Sequence, residues 1–237
     1  MISIDRDTAV IVCAGPSLEL LSAYAWQQLA NAGAIAGVNG APAADACIAN
    51  DVQFTLLVAM DVHRGLFNRV PRLAQIWSTT KAWRVTSIDG PETSSDSYLV
   101  EVDEADGGVY GWSDDPNQGY KGGSTAMVIG NWLGNSWPNG HHASRHLRGF
   151  RTLAYVGLDM HRDDGRHAPG AGLHASGFAD SSDRYARICA SWGLLCGEAA
   201  RRGIRVVNLT PGTSLAEMPR VDVPDEWLVA ESMEVAR

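Results

Sequence analysis

Thr8-Ala-Val-Ile-Val-Cys-Ala-Gly-Pro-Ser17 is the stretch whose reading decides the fold. From Ala9 to Ala14 it is apolar without alternation. A short run with no polar face is expected as a strand buried on both sides, as in a parallel sheet covered by helices. Gly15-Pro16-Ser17 turns the chain, and Leu18, Leu21, Ala25, Leu29 and Ala32 then recur at helical spacing until Gly33 stops them. Strand, turn and helix are thus legible within the first thirty-odd residues.

The same rhythm continues outward. Ala34-Ile-Ala-Gly-Val38 reads as a second strand ending in the turn Asn39-Gly40, and Ala41 to Asn50 as a short helix. Phe54 to Met60 reads as a third strand ending at Asp61, with a fourth at Ala82 to Ser87. Later come a helix opened by Gly122-Gly123-Ser124 and running through Leu133, and a strand from Arg151 to Val156 followed by Gly157-Leu158-Asp159. Tyr185, Ile188, Cys189, Trp192, Leu195, Cys196 and Ala199 trace one stripe of a long helix over Asp183 to Arg202. Ile204 to Leu209 is the last strand, and the tail from Pro224 is expected to hold a short helix. Alternating strands and helices predict an α/β, Rossmann-like chain with a mostly parallel sheet and helices on both faces. Residues 89–121, rich in Asp, Ser, Gly and Pro, interrupt the rhythm and are expected as a polar insertion or lid, with one strand at Tyr98 to Val102. The expected organisation is a single domain over 1–220 and a tail over 221–237.

Composition narrows the chemistry. The chain has 237 residues and a formal charge of −8, which disfavours a general nucleic-acid coat. Among 19 basic residues only Lys81 and Lys121 are lysine, and neither sits in a Gly-Lys-Ser/Thr context, which excludes a P-loop. Four cysteines (Cys13, Cys47, Cys189, Cys196) form no CxxC pair and no zinc spacing, so they are expected as small buried apolar residues in a reducing compartment. No apolar run reaches membrane-span length and no secretory leader is legible, so the expected location is the cytoplasm.

In an open α/β sheet, functional loops gather at the carboxyl ends of the strands. Gly15 lets backbone approach a ligand, and Ser17 with the N–H groups of the turn favours an anion; a plain turn with a helix cap explains the same residues. Gly122-Gly123-Ser124-Thr125 repeats the pattern. Asp61 and Asp159 follow apolar strands, where a carboxylate holds a ribose hydroxyl or magnesium, or simply caps the next helix. His161, His167 and His174 fall in the loop after Asp159, and a histidine there is placed to act as a general base. His141 to Arg151 is a basic run that suits a phosphate-bearing partner or nucleic acid, or is a solvated face. Trp112 is a candidate for stacking on a sugar or base.

The order of Val12-Cys-Ala-Gly-Pro-Ser-Leu18, Gly37-Val-Asn-Gly-Ala41, Met60-Asp61, Gly122-Gly-Ser-Thr125, Tyr155-Val-Gly-Leu-Asp-Met160 and Val207-Asn-Leu-Thr-Pro-Gly-Thr-Ser-Leu215 resembles a known superfamily. It joins archaeal 6-hydroxymethylpterin pyrophosphokinase-like (MptE-like) proteins with bacterial sialyltransferases of the Campylobacter type, and the likeness extends to short phage-encoded members. The resemblance implies a nucleotide-dependent transferase. Gly15, Pro16, Ser17 and Asn39 would hold phosphate and ribose, with Asp61, Gly123, Ser124 and Asp159 completing the nucleotide site. His174, with His167 as its rival, would be the catalytic base. A glycosyltransferase would take a CMP-, UDP- or GDP-sugar and a hydroxyl-bearing acceptor. A pyrophosphokinase would take ATP and magnesium, with Asp61 or Asp159 as metal ligands. A nucleotide- or nucleic-acid-binding phage protein without catalysis is the third reading.

Overall fold

The computed structural model describes residues 3–60, 65–87, 97–103, 112–113, 118–120, 124–135, 149–160, 168–171 and 182–229. Among the described residues eight strands form one sheet: β1 (Thr8–Val12), β2 (Ala34–Val38), β3 (Leu56–Ala59), β4 (Trp83–Ser87), β5 (Ser97–Asp103), β6 (Gln118–Tyr120), β7 (Thr152–Val156) and β8 (Arg205–Asn208). Their order is β6-β5-β4-β3-β2-β1-β7-β8, and every adjacent pair is parallel. The chain therefore steps outward from β1 to one edge, then returns to the other side of β1 with β7. This reversal between β1 and β7 is the topological switch point of a Rossmann-like sheet.

Strand periodicity explains why the apolar runs do not alternate. Ala9, Ile11 and Cys13 of the β1 segment face one core, and Val10, Val12 and Ala14 face the other. The first core is covered by α5 (Thr125–Gly134) and α6 (Ser182–Arg201), contributing Met127, Ile129, Leu133, Trp192 and Leu195. The second is covered by α1 (Ala23–Leu29) and α2 (Asp45–Ala49), contributing Ala25, Trp26, Leu29 and Cys47. Every residue of α5 is buried, so it is an internal helix without a solvated face. Among the described residues no helix is long and apolar enough to cross a membrane.

Several local expectations are corrected. The helix expected from Leu18 onward is a 3-10 turn, Pro16–Leu20, followed by α1. Leu21 between them is extended, because it bridges antiparallel to Leu228, and Ser22 then caps α1 by accepting from the Ala25 N–H at 3.2 Å. Pro42 likewise splits the next segment into a 3-10 turn, Ala41–Ala43, and α2. Two helices not expected at all, α3 (Leu66–Arg69) and α4 (Pro71–Thr79), lead into β4.

Within the 89–121 stretch, the strand expected at Tyr98 to Val102 is present as β5. β5 and β6 extend the sheet in parallel register beyond β4. Trp112 is buried; its Nε1–H donates to Asn135 Oδ1 at 2.8 Å and its ring lies 5.5 Å beneath the Arg202 guanidinium. The indole is thus a core side chain and does not stack on a ligand.

The tail is built into the domain. Asn208 pairs in parallel with Arg220 beside β8, and residues 225–227 form a 3-10 turn that buries Trp227 against α1. Ser22 N–H donates to Trp227 O at 2.8 Å, and Val229 N–H to Leu20 O at 2.9 Å. Residues 230–237 lie outside the described residues.

Candidate functional site

The switch point places the exits of β1 and β7 side by side. Cys13 N–H donates to Val156 O at 2.8 Å and Gly15 N–H to Gly157 O at 2.9 Å, so the two chains stay paired past the strand ends. Gly157 makes the turn with φ +68°, a left-handed conformation that favours glycine. Two residues on, Asp159 turns its carboxylate back onto the Gly-Pro-Ser turn. Its Oδ2 accepts from Ser17 Oγ at 2.8 Å and its Oδ1 from Ser17 N–H at 3.2 Å. Ser17 and Asp159 are both buried.

This contact gives Gly15 a structural cause. A Cβ at Gly15 would fall on the Asp159 carboxylate and the Gly157 carbonyl, closer than any real side chain comes. The turn expected to face an anion does face one, and that anion is the protein's own. A ligand phosphate at the Ser17 N–H would share or displace the carboxylate. Pro16 starts the 3-10 turn and supplies no N–H there.

The carboxylate is braced by the segment after β8. Thr213 Oγ1 donates to Leu158 O at 2.9 Å, and Ser214 N–H donates to Asp159 O at 3.0 Å. Leu158 N–H donates to Thr210 Oγ1 at 2.9 Å, and Asn208 Oδ1 accepts from Thr210 N–H at 3.0 Å. Asn208-Leu-Thr-Pro-Gly-Thr-Ser214 is therefore a scaffold for the Asp159 backbone. Thr210 and Thr213 were not among the expected site residues. Their signal was the strand-end position and the dense Thr/Asn/Gly composition of that segment.

At the neighbouring exit, Asn39 ends β2 in the left-handed region with φ 50°, which asparagine tolerates better than most residues. Its Nδ2 donates to Thr125 Oγ1 at 3.2 Å, joining β2 to the first turn of α5. Ser124 holds the N-cap position of α5, yet its side chain makes no capping hydrogen bond; its backbone carbonyl accepts from Met127 N–H at 3.0 Å. Residues 168–171 also dock here. Ala168 N–H donates to Ala14 O at 2.7 Å, and Asp45 N–H donates to Pro169 O at 2.7 Å. Gly15, Ser17, Asn39, Ser124 and Asp159 thus stand on the carboxyl side of the sheet, on β1, β2, β7 and the start of α5. Asp61, Gly123, His167 and His174 lie outside the described residues, as do Lys121, His161 and the run 141–148.

The groups beneath the site are uncharged. Burial, with the Asp159 carboxylate second, pushes the Cys13 thiol far up. Burial likewise holds Tyr155 protonated; its hydroxyl donates to Ala126 O at 3.3 Å and its ring meets Trp192 edge-on at 5.2 Å. Cys13 is therefore no thiolate nucleophile. All four cysteines are free. Among the described residues no group of three or more His, Cys, Asp or Glu stands ready to hold a metal ion. Asp159 remains the one expected metal ligand within the description. A magnesium ion there would depend on ligand phosphates for its other partners, the usual arrangement for that ion.

Compared with known proteins, the chain matches no family model, no curated protein and no solved structure.

Proposed function

We propose that this chain is a nucleotide-dependent transferase, and that its reaction is glycosyl transfer from a nucleotide-activated sugar to a hydroxyl-bearing acceptor. The observation that carries the reading is the buried carboxylate of Asp159 at the β1/β7 switch point, fixed by Ser17 and braced from β8. Ligands of open α/β sheets lie in this crevice, and a rigid carboxylate there accepts hydrogen bonds from ribose or sugar hydroxyls. Asn39 at the β2 exit lies on the same side, where such sheets commonly hold a ribose. The order of motifs resembling the MptE-like and sialyltransferase superfamily supports the same chemistry. On that resemblance His174, or His167, takes the acceptor hydroxyl proton as the new C–O bond forms. The bond from the anomeric carbon to the nucleotide phosphate breaks, and its electron pair leaves with the phosphate.

Thermal unfolding with CMP, UDP, GDP and ATP, each with and without magnesium, tests the reading. One nucleotide should raise the unfolding temperature, and Asp159→Asn should weaken that rise. If none of the four moves the transition, the reading fails. His174→Ala and His167→Ala should then separate: one abolishes turnover while nucleotide binding persists, and unchanged turnover in both removes the histidine from the scheme.

A second reading, diphosphate transfer from ATP, draws on the same carboxylate as a magnesium ligand, with Asp61 as the other candidate. AMP release and an absolute magnesium requirement distinguish it from sugar transfer.

A further inference from the structure

The loop that braces Asp159 has a second side. Thr210, Pro211 and Gly212, at the carboxyl end of β8, wall a cavity of about 180 Å³ whose opposite wall carries Arg220, Asp222 and Asp225. The two walls are held together by backbone pairing: Asn208 N–H donates to Pro219 O at 2.9 Å and Val221 N–H donates to Asn208 O at 3.1 Å. The cavity is thus a fixed feature of the sheet edge, on the same carboxyl side as Asp159 and separated from it by one loop.

Its charges are arranged in opposition. Arg220 Nε stands 3.7 Å from Asp222 Oδ1, beyond hydrogen-bond length, and among the described residues the guanidinium has no other protein partner. The planar fork is therefore available for a carboxylate, which it binds through two parallel N–H groups. Asp222 and Asp225, both exposed, bring two negative charges to the rim of the cavity. A dianionic phosphate would meet one cation and two anions. A ligand carrying one carboxylate and one ammonium meets a partner for each.

We propose that this cavity binds a small zwitterion of the α-amino acid class, its carboxylate on Arg220 and its ammonium between Asp222 and Asp225. Resting on the transferase reading above, it is the acceptor side of the site. A hydroxyl carried on such a ligand would face the loop 210–214 that fixes Asp159.

The test is calorimetric titration of the full chain with glycine, L-serine and L-glutamate. Propionate, n-propylamine and inorganic phosphate serve as single-group probes. At least one amino acid should saturate, and each single-group probe should bind about tenfold more weakly or worse. Arg220→Ala should weaken the amino acid about tenfold or more, with Arg220→Lys recovering part of the loss, because lysine keeps the charge and not the fork. Asp225→Asn should weaken L-serine and leave propionate unchanged. Arg220 is half exposed, so thermal unfolding of its variants should match the parent chain. The proposal is overturned if no amino acid saturates by about 10 mM, if Arg220→Ala binds as tightly, or if phosphate or propionate binds as well. Nucleotides titrated into the same preparation keep the two readings apart. Amino acid binding without nucleotide binding would sink the donor and leave the cavity; the converse would sink only the cavity.

Discussion

The Ser17–Asp159 contact makes a quantitative demand on the fold. Ser17→Ala removes the 2.8 Å hydroxyl bond and leaves the carboxylate with the 3.2 Å bond from the Ser17 N–H. A hydrogen bond to a charged group contributes about 1.5–3 kcal/mol net, so the substitution should cost about 2 kcal/mol. Asp159→Asn preserves volume but exchanges one acceptor oxygen for a donor, weakening the same bond by a similar amount. If these losses describe one interaction, the double variant costs about 1.5 kcal/mol less than the two singles together, within the range for residues in direct contact. Urea unfolding near neutral pH with linear extrapolation measures all four corners of the cycle. A chain of 237 residues loses about 2–4 °C per kcal/mol, so each single variant should also melt roughly 4–8 °C lower. Additivity of the two singles to within about 0.5 kcal/mol would refute the coupling, and with it the account of why Gly15 and Ser17 are where they are.

Three further outcomes follow from the same geometry. Gly15→Ala should destabilise by about 1–3 kcal/mol through overpacking and drive the Asp159 carboxylate off Ser17, read by thermal unfolding and a crystal structure of the variant. Trp227 is buried against α1, so Trp227→Ala should cost about 3–5 kcal/mol, and a loss below 1 kcal/mol in urea would show that the tail is not part of the core. Burial pushes the Cys47 and Cys196 thiols from an ordinary 9.0 up to about 12. A raised folded value favours the protonated fold, so this stabilisation is complete below pH 9 and is lost as pH rises from 9 towards 12. Stability should fall by up to about 1.4 kcal/mol per pH unit for each thiol in that window, and Cys47→Ala with Cys196→Ala should flatten the slope.

The central strands were legible because a parallel strand buried on both faces needs an unbroken apolar run, and β1, β2, β3 and β7 each carry one. Beyond β4, the strand expected at Tyr98 to Val102 is present as β5, while β6 was not legible, for the complementary reason. β5 and β6 lie toward the edge of the sheet, and their Asp-, Ser- and Gly-rich surroundings gave the stretch the look of an insertion. Periodicity also misjudged the first helix. Leu18, Leu21 and Ala25 keep helical spacing, yet Leu21 belongs to a bridge with Leu228, a partner with no trace in the local pattern. The pair α3–α4 carries its own signals, Pro71 at the first turn and Leu73, Ile76 and Trp77 at helical spacing. Trp112 sits in a polar stretch of sequence yet is buried, because its partners Asn135 and Arg202 come from the ends of α5 and α6, far from it along the chain.

The candidate site shows the same limit at closer range. Gly-Pro-Ser has two readings in sequence, an anion-binding turn or a turn with a helix cap, and local pattern cannot separate them because both ask for the same residues. What separates them is the group opposite, and that group stands 142 residues away, at the exit of the strand that lies beside β1 only because the chain reverses direction there. The structure selects neither reading as it stood. Ser17 donates to an anion, as the first requires, but the anion is Asp159, whose carboxylate fills the space that a side chain at position 15 would take. Glycine and serine at the first strand exit and aspartate at the seventh are therefore one unit, and their joint appearance is needed for the fold whether or not a nucleotide binds. The contact explains Gly15 and Ser17 structurally, and it holds Asp159 rigid at the β1/β7 switch point. Because Ser17→Ala and Asp159→Asn weaken the same contact and should cost the fold alike, a loss of nucleotide affinity larger in Asp159→Asn than in Ser17→Ala is the result that would assign the carboxylate to a ligand.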